Sequence, residues 1–485
     1  MTSISYPRRL AELAEVAPDR PAITCADWTV TRAELERWTD RMAHRLAGAG
    51  VRAGDLVTIA LPSSIEWFVA TIACWKVGAT PQPVSGRLPE RELEGIVELA
   101  DPPVIVAVEA GELAGRKAIT VVDQPAADDP PDEALPDVVS PAWKAPTSGG
   151  STGRPKLIVA GEAAEMDPDA GPSLLMVPDG CLVMPGPLYH NGPVVWTIGA
   201  LLWGNHVVQL PRFDAEATLA AIADHKADVI YMVPTMMKRI WALPEHVRTG
   251  YDLSSLRVVW HLAEPCPPWL KQVWIDWLGP EKIVELYAGT EGLMATVIFG
   301  TEWLEHRGSV GRPIYGELVI LDAEGNELPA GEEGEVWMRR GGDTPTYRYV
   351  GAEARAREDG WESLGDAGWL DEDGYLYLGD RMQDMILTGG ANVYPAEVEA
   401  ALLEHHGVRS AVVIGLPDED KGNRIHAIVD TAGVRLDEDE LRTFLAERLV
   451  TYKLPRTFEQ VDGLLRDDAG KVRRAQLRTD RLGES

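Results

Sequence analysis

The sequence predicts an α/β protein: a large N-terminal domain of parallel-sheet subdomains plus a small barrel, and a small, mobile α+β C-terminal domain. Three observations predict it. Helical patterns alternate with short apolar runs through the first half of the chain. Gly- and Glu-punctuated strand patterns take over between Gly308 and about Arg340. Beyond Asp384 the alternation returns in a shorter, more charged form.

The elements follow in order. RAELERWTDRMAHRLAGAG reads as an amphipathic helix, and LVTIALP and VIVAVE read as buried strands. A loop rich in Asp, Pro and Ala (124–140) then interrupts the pattern. The alternation resumes as LVMPG, an apolar helix, VVQLP, the helix DAEATLAAIADHK and VIYMVP. ELVILDAEGNELPAGEEGEVWMRR has the turn chemistry of β-hairpins, expected as a small barrel or sheet. The last quarter holds a helix at AEVEAALLEHH, a strand at SAVVIGLP, a charged helix at EDELRTFLAERL and a basic tail. A boundary near Arg381 to Asp384 divides the chain into 1–381 and 382–485.

At 485 residues the chain is long enough for two or three domains with sizeable cores. A net charge of −30 argues against nucleic acid or an anionic membrane as a partner. It also means that a polyanionic ligand must be met by local cations or a metal. Cys25, Cys74, Cys181 and Cys266 lie far apart with no Cys-x-x-Cys pair, the pattern of reduced thiols. The N-terminus lacks an apolar signal core, and the longest apolar run, PVVWTIGALLW, is too short to span a bilayer. A cytoplasmic location is expected.

Five stretches carry candidate chemistry. SGGSTGRPK (148–156) combines glycines and hydroxyls that can wrap backbone N–H groups around phosphate, with Lys156 beyond a stiffening proline. Its other reading is a flexible loop. ELYAGTEG (285–292) delivers Thr290 and Glu291 into a Gly-rich turn, where a carboxylate can hold Mg²⁺ on phosphates; a helix cap is the alternative. In ESLGDAGWLDEDGYLYLGDR, Asp371 to Asp373 ahead of Gly374 read as a hairpin tip. Asp366 suits ribose hydroxyls, and Arg381 suits ribose or phosphate. LTGGANVYPAEVE (387–399) is a Gly-Gly turn entering a helix, and Lys471 follows a glycine on a charged loop where a solvated lysine is the default.

Taken in order along nearly the whole chain, these stretches resemble the adenylate-forming superfamily of acyl-CoA and aryl-CoA synthetases, luciferases and peptide-synthetase adenylation domains. HLAEPCPPWLKQVWIDWLGPEKIVELYAGTEG and TYRYVGAEARAREDGWESLGDAGWL look most like ligases for bile acids, steroids and other cyclic acids. The resemblance implies that Ser148, Gly149, Gly150, Ser151, Thr152, Gly153 and Lys156 hold ATP phosphates while a carboxylate attacks the α-phosphate. Glu264, Pro265, Tyr287, Ala288, Gly289, Asp366 and Arg381 complete the ATP/AMP site. Glu291, with Thr290 beside it, serves Mg²⁺, and Lys471 sits between the attacking oxygen and the α-phosphate. His190, Asn191, Gly192 and Ala263 border the acyl pocket. The small domain then rotates, withdrawing Lys471 and bringing in Gly389 and Gly390 for attack by coenzyme A. ATP, Mg²⁺, coenzyme A and a small carboxylic acid are the implied partners; a homodimer is compatible with this reading.

The chain departs from the superfamily's pattern at Gln383, Ala288, Ala145 and Glu264. Glu264 has the largest consequence. A carboxylate facing the α-phosphate opposes adenylation by about 1–4 kcal/mol at ~4 Å, whereas one facing adenine or solvent is harmless. An inward Glu264 would leave an enzyme that only transfers a supplied acyl-adenylate to CoA. A non-catalytic nucleotide sensor is disfavoured by Lys471 standing alongside Glu291. A peptide-synthetase domain is disfavoured because 181–210 contains no Asp or Glu for an amino acid's ammonium, and 14 residues follow Lys471. PLYHNGPVVWTIGALLWG offers His190, which also reads as a core histidine, with Trp196 and Trp203. That uncharged lining points to a bulky hydrophobic acid, steroid- or terpenoid-like.

Overall fold

The computed structural model describes residues 3–482 apart from 127–128, 130–131, 134, 149–154, 343, 382–383, 389–390, 419–421 and 468–469. Gly149, Gly150, Ser151, Thr152 and Gly153 therefore lie outside the described residues, as do Gln383, Gly389 and Gly390, and so does part of the expected boundary at 381–382.

Largely buried apolar runs form the centre. Ile283–Ala288, Val258–Leu262, Val229–Met232, Cys181–Met184, His206–Gln209 and Pro21–Cys25 lie side by side in that order, all parallel. Cys181–Met184 sits between the strand that follows it and the next one along the chain, so the connections leave it in opposite directions. Such a switch point opens a crevice at the carboxyl ends of the strands. The segments that emerge there begin at Pro185, Val233, Ala263 and Gly289.

A second, five-stranded sheet contains Thr80–Pro83, Leu56–Ala60, Ile105–Ala107, Arg116–Ile119 and Gly111–Leu113. The helix Ile65–Lys76 is buried at every position but Glu66, as its nearly all-round apolar sequence requires. The helix Arg32–Gly48 begins where the sequence places it, because Thr31 and Glu34 form a reciprocal capping box.

Beyond Ile283–Ala288 the central sheet continues antiparallel through Ala295–Phe299, Ser309–Tyr315, Leu376–Arg381, Glu362–Leu370, Gly334–Arg339 and Glu317–Leu321. A three-stranded sheet of Thr147–Ser148, Lys156–Ala160 and Tyr347–Val350 faces this arm across a core of Ile158, Met294, Ile320, Val336, Met338 and Leu376. The barrel is thus formed by two hydrogen-bonded sheets and is continuous with the parallel sheet. The tip at Asp371–Gly374 turns as expected, with Gly374 N–H donating to Asp371 O.

The C-terminal part has its own core, in which Val398, Leu402, Ala411, Val413, Ala427 and Leu441 pack together. Its sheet holds Ser410–Asp418, Gly422–Asp430 and Thr457–Val461. The basic tail forms a helix, Arg474–Leu482, an element that the sequence reading did not assign. Leu477 packs beside Val412 and Ile414, and Arg474 and Arg481 are held by Glu399 and Glu459. Among the described residues no helix is long and apolar enough to cross a membrane.

Candidate active site

The switch-point crevice widens into a cleft of about 3300 Å³, walled by the central sheet, the antiparallel arm and the C-terminal part. Its lining includes Ser148, Lys156, His190, Asn191, Gly192, Ala263, Glu264 and Pro265, and also Tyr287, Ala288, Gly289, Thr290, Glu291, Asp366 and Lys471. Sequence-distant candidates are therefore brought to one place.

The base of the glycine loop is firmly held. Ser148 pairs with Lys156 and Thr147 with Leu157 across a short antiparallel ladder. Behind it Thr58 donates to Gln82 (2.7 Å), and Gln82 donates to Thr147 Oγ1 (2.8 Å), a buried chain fixing the strand that enters the loop.

Lys156 leaves this ladder with its ammonium 3.7 Å from the Tyr349 ring centroid and 3.7 Å from Glu291 Oε1. Tyr349 OH donates to the same carboxylate at 2.6 Å, and Thr346 Oγ1 donates to Glu291 O at 2.7 Å. Glu291 sits in a turn between antiparallel strands, closed by Gly292 N–H on Gly289 O. No helix starts there, so the helix-cap alternative falls. A buried carboxylate among hard-oxygen donors suits Mg²⁺, which uses one or two carboxylates and completes its shell with phosphate and water. The fit needs those phosphates, because no group of three or more His, Cys, Asp or Glu able to hold a metal exists among the described residues.

Asp366 accepts from Tyr287 OH at 2.7 Å and stands opposite Arg381 in the strand register. His190 precedes the helix Asn191–Leu202 and is mostly buried, with Nε2 3.8 Å from Asp467 Oδ2. Burial, and then the Lys471 charge, lower its pKa to about 3, so the imidazole is neutral at ordinary pH. Gly192 leaves room for Tyr231, whose hydroxyl any Cβ there would overlap.

Lys471 lies exposed to the cleft on a tight turn: Asp467 N–H donates to Lys471 O (3.0 Å), and Lys471 N–H donates to Asp467 Oδ1 (2.8 Å). Glu264 lies directly beneath it. Thr235 donates to that carboxylate from its N–H (2.9 Å) and its hydroxyl (2.9 Å), and Gly470 rests on it. Ala263, in the left-handed region at φ 72°, turns the chain to aim Glu264 this way. Ala145, by contrast, is wholly buried in the core beside the five-stranded sheet.

Lys144 was not anticipated. It is buried, donates to Asn191 Oδ1 and sits 4.3 Å from the Trp143 ring centroid. Burial lowers its pKa to about 7, against opposing pulls from Glu162 and Glu291. A lone lysine within the apolar run before the glycine loop was the available signal. A lysine whose folded pKa lies below its unfolded value burdens the fold fully below pH 7, and the burden lifts as pH rises toward ~10.4. Lys144→Met is therefore expected to stabilise the protein at pH 6 by about 1–3 kcal/mol, less at pH 9, while activity falls. Thermal unfolding at both pH values checks this; equal destabilisation at both would make Lys144 a structural brace.

Comparison with known proteins accords with this geometry. Residues 10–348 match the AMP-binding enzyme family, and residues 397–471 match the AMP-binding enzyme C-terminal domain. The 2-succinylbenzoate–CoA ligase of Bacillus licheniformis is 31% identical over 98% of this chain and 100% of its own length. Feruloyl-CoA synthase of Amycolatopsis sp. is 32% identical over 98% of each. The o-succinylbenzoate CoA synthetase (MenE) of Bacillus subtilis with the acyl-adenylate OSB-AMP superposes with a TM-score of 0.81, at 26% identity over 98% of both chains. The same enzyme with ATP and magnesium ion gives 0.80, covering 98% of this chain and 100% of that one. The chain belongs to the AMP-binding enzyme family of adenylate-forming proteins. Within it, the protein is an acid–CoA ligase that works through an acyl-adenylate and uses ATP, Mg²⁺ and coenzyme A.

Proposed function

We propose that the acid is a bulky hydrophobic one, steroid- or terpenoid-like. The observation that carries this is the wall formed by the helix Asn191–Leu202. It has no ionisable residue and presents Val195, Trp196 and Gly199 to the cleft, beside Leu174 and Tyr231. At Gly199 an added Cβ would meet only Leu174, so the wall is set back there. The relatives are named for 2-succinylbenzoate and ferulate, both smaller acids.

In this reading the 148–156 loop and Lys156 receive the β- and γ-phosphates, and Asp366 and Arg381 receive the ribose. Tyr287, Ala288, Gly289, Glu264 and Pro265 line the nucleotide, and His190, Asn191, Gly192 and Ala263 border the acyl pocket. Glu291, with Thr290 beside it, holds Mg²⁺, which when bound neutralises phosphate charge. Lys471 brings the carboxylate oxygen against the α-phosphate and is carried by a lid of residues 382–485 that moves against residues 1–381. In the second half-reaction the lid presents Gly389 and Gly390, and the thiol of coenzyme A displaces AMP. The cytoplasm suits four free cysteines and a strongly acidic surface.

The reading as a transfer-only enzyme is not favoured by the relatives, which are named as complete CoA ligases and synthetases. Glu264 lines the cleft beneath Gly470 with Thr235 donating to its carboxylate. The test is pyrophosphate release and acyl-CoA formation with cholate, abietate, ferulate, 2-succinylbenzoate and palmitate. The highest kcat/KM is expected with cholate or abietate; a preference for ferulate, palmitate or 2-succinylbenzoate overturns the proposal.

A further inference from the structure

The helix Pro234–Trp241 touches the C-terminal part at two places. At its start, Thr235 holds Glu264 under Gly470. Three residues on, the half-buried Lys238 reaches across the cleft, donating to Leu403 O (3.0 Å) and Val408 O (3.1 Å). Leu403 ends the helix Pro395–Leu403, whose last turn contains no basic residue. Its terminal carbonyls carry the negative end of the helix dipole, and the compensating cation comes from the other side of the cleft.

The same helix is tied to the lysine turn. Its Glu399 accepts from Arg466 at 2.8 Å, and Arg466 donates to Gly470 O at 3.1 Å, next to Lys471. Gly470 has φ 77°, and any Cβ there would overlap Glu264 Oε1. The residue before Lys471 must therefore be glycine for the turn to settle on Glu264. A rigid path runs from Lys238 through the helix end, Glu399 and Arg466 to Lys471. A peripheral bridge, Arg473 to Glu92 at 2.8 Å, lies farther out on the same interface.

We infer that Lys238 is a positioning residue for adenylation: by capping the helix Pro395–Leu403 from across the cleft, it seats the lid so that Lys471 enters the site. This rests on the proposed role of Lys471 and the proposed lid motion. Lys238 acts through backbone carbonyls of the C-terminal part, at Leu403 O and Val408 O. Its contacts belong to the arrangement with Lys471 inside, so they are lost when the lid swings away. Removing them penalises the first half-reaction and leaves the second untouched.

The test uses the full-length protein with spin labels at Glu305→Cys and Glu438→Cys, in a Cys266→Ser background that removes the half-exposed native thiol. Pulsed distance measurement without substrate is expected to give a narrow distribution in the Lys238-containing protein and a broad one in Lys238→Met. With whichever panel acid turns over, Lys238→Met should release pyrophosphate about tenfold more slowly, the value of a net hydrogen bond to a charged group. CoA transfer from the matching synthetic acyl-adenylate should stay at the rate seen with Lys238. Glu92→Gln, on a solvated face, guards against a folding artefact and should shift both readouts the same way by a smaller factor. An unchanged distance distribution, or equal losses in both half-reactions, overturns the role of Lys238. Failure of the underlying reading shows elsewhere, as a Lys471→Ala variant that loses both half-reactions alike.

Discussion

Lys471→Ala is expected to slow acyl-adenylate formation by about 10²–10³-fold and to leave CoA transfer from a supplied acyl-adenylate within about twofold of wild type. A carboxylate approaching ATP meets a polyanion, and the attack needs positive charge that is already in place. The protein as a whole is strongly acidic, so local cations must supply it. Lys156 stands among Glu291 and Tyr349, Lys144 faces Asn191, and Lys471 arrives from the C-terminal part on a turn locked by Asp467. Once the adenylate exists, the thiol attacks a neutral carbonyl carbon and Lys471 has no charge to bridge. Pyrophosphate release and acyl-CoA formation, assayed separately, check the split. Equal loss in the two assays would remove Lys471 from its first-step role and the lid motion with it.

The legible parts of the fold are those where local chemistry and burial agree. Val229–Met232 and Cys181–Met184 are continuous apolar runs because both faces of a parallel strand are covered, and they stand where the sequence puts them. The tail helix Arg474–Leu482 was not legible. Its apolar residues are too few to make a helical stripe, and its arginines are ordered by Glu399 and Glu459, which lie far away in the sequence. The site shows the same division. Glycines and prolines marked the loop proposed to hold phosphate and the turn at Glu291. The partners that give each side chain its setting, Tyr349 for Glu291 and Thr235 for Glu264, come from segments with no motif of their own. The orientation of Glu264 depends on a non-glycine residue, Ala263, adopting left-handed backbone, which sequence propensity argues against.

Glu291→Gln is expected to raise the Mg²⁺ concentration for half-maximal adenylation by about tenfold or more and to lower the maximal rate by about 10². The change is isosteric, and Tyr349 OH can still donate to the remaining carbonyl oxygen, so the turn at Gly289–Gly292 should survive. What disappears is a formal negative charge in a buried setting, 3.7 Å from an ammonium. Two consequences oppose each other. The metal loses its carboxylate, while Lys156 becomes a stronger attractant for phosphate. ATP binding measured without metal should therefore hold or tighten, and the gain in affinity on adding Mg²⁺ should shrink. An acyl-adenylate carries no pyrophosphate to clamp, so CoA transfer from it should be nearly unaffected. Calorimetric ATP titrations with and without Mg²⁺, set beside the two half-reaction assays, separate these terms. An unchanged Mg²⁺ midpoint in the variant would make Glu291 a brace between Lys156 and Tyr349, and the metal would have to be held by phosphate and water alone.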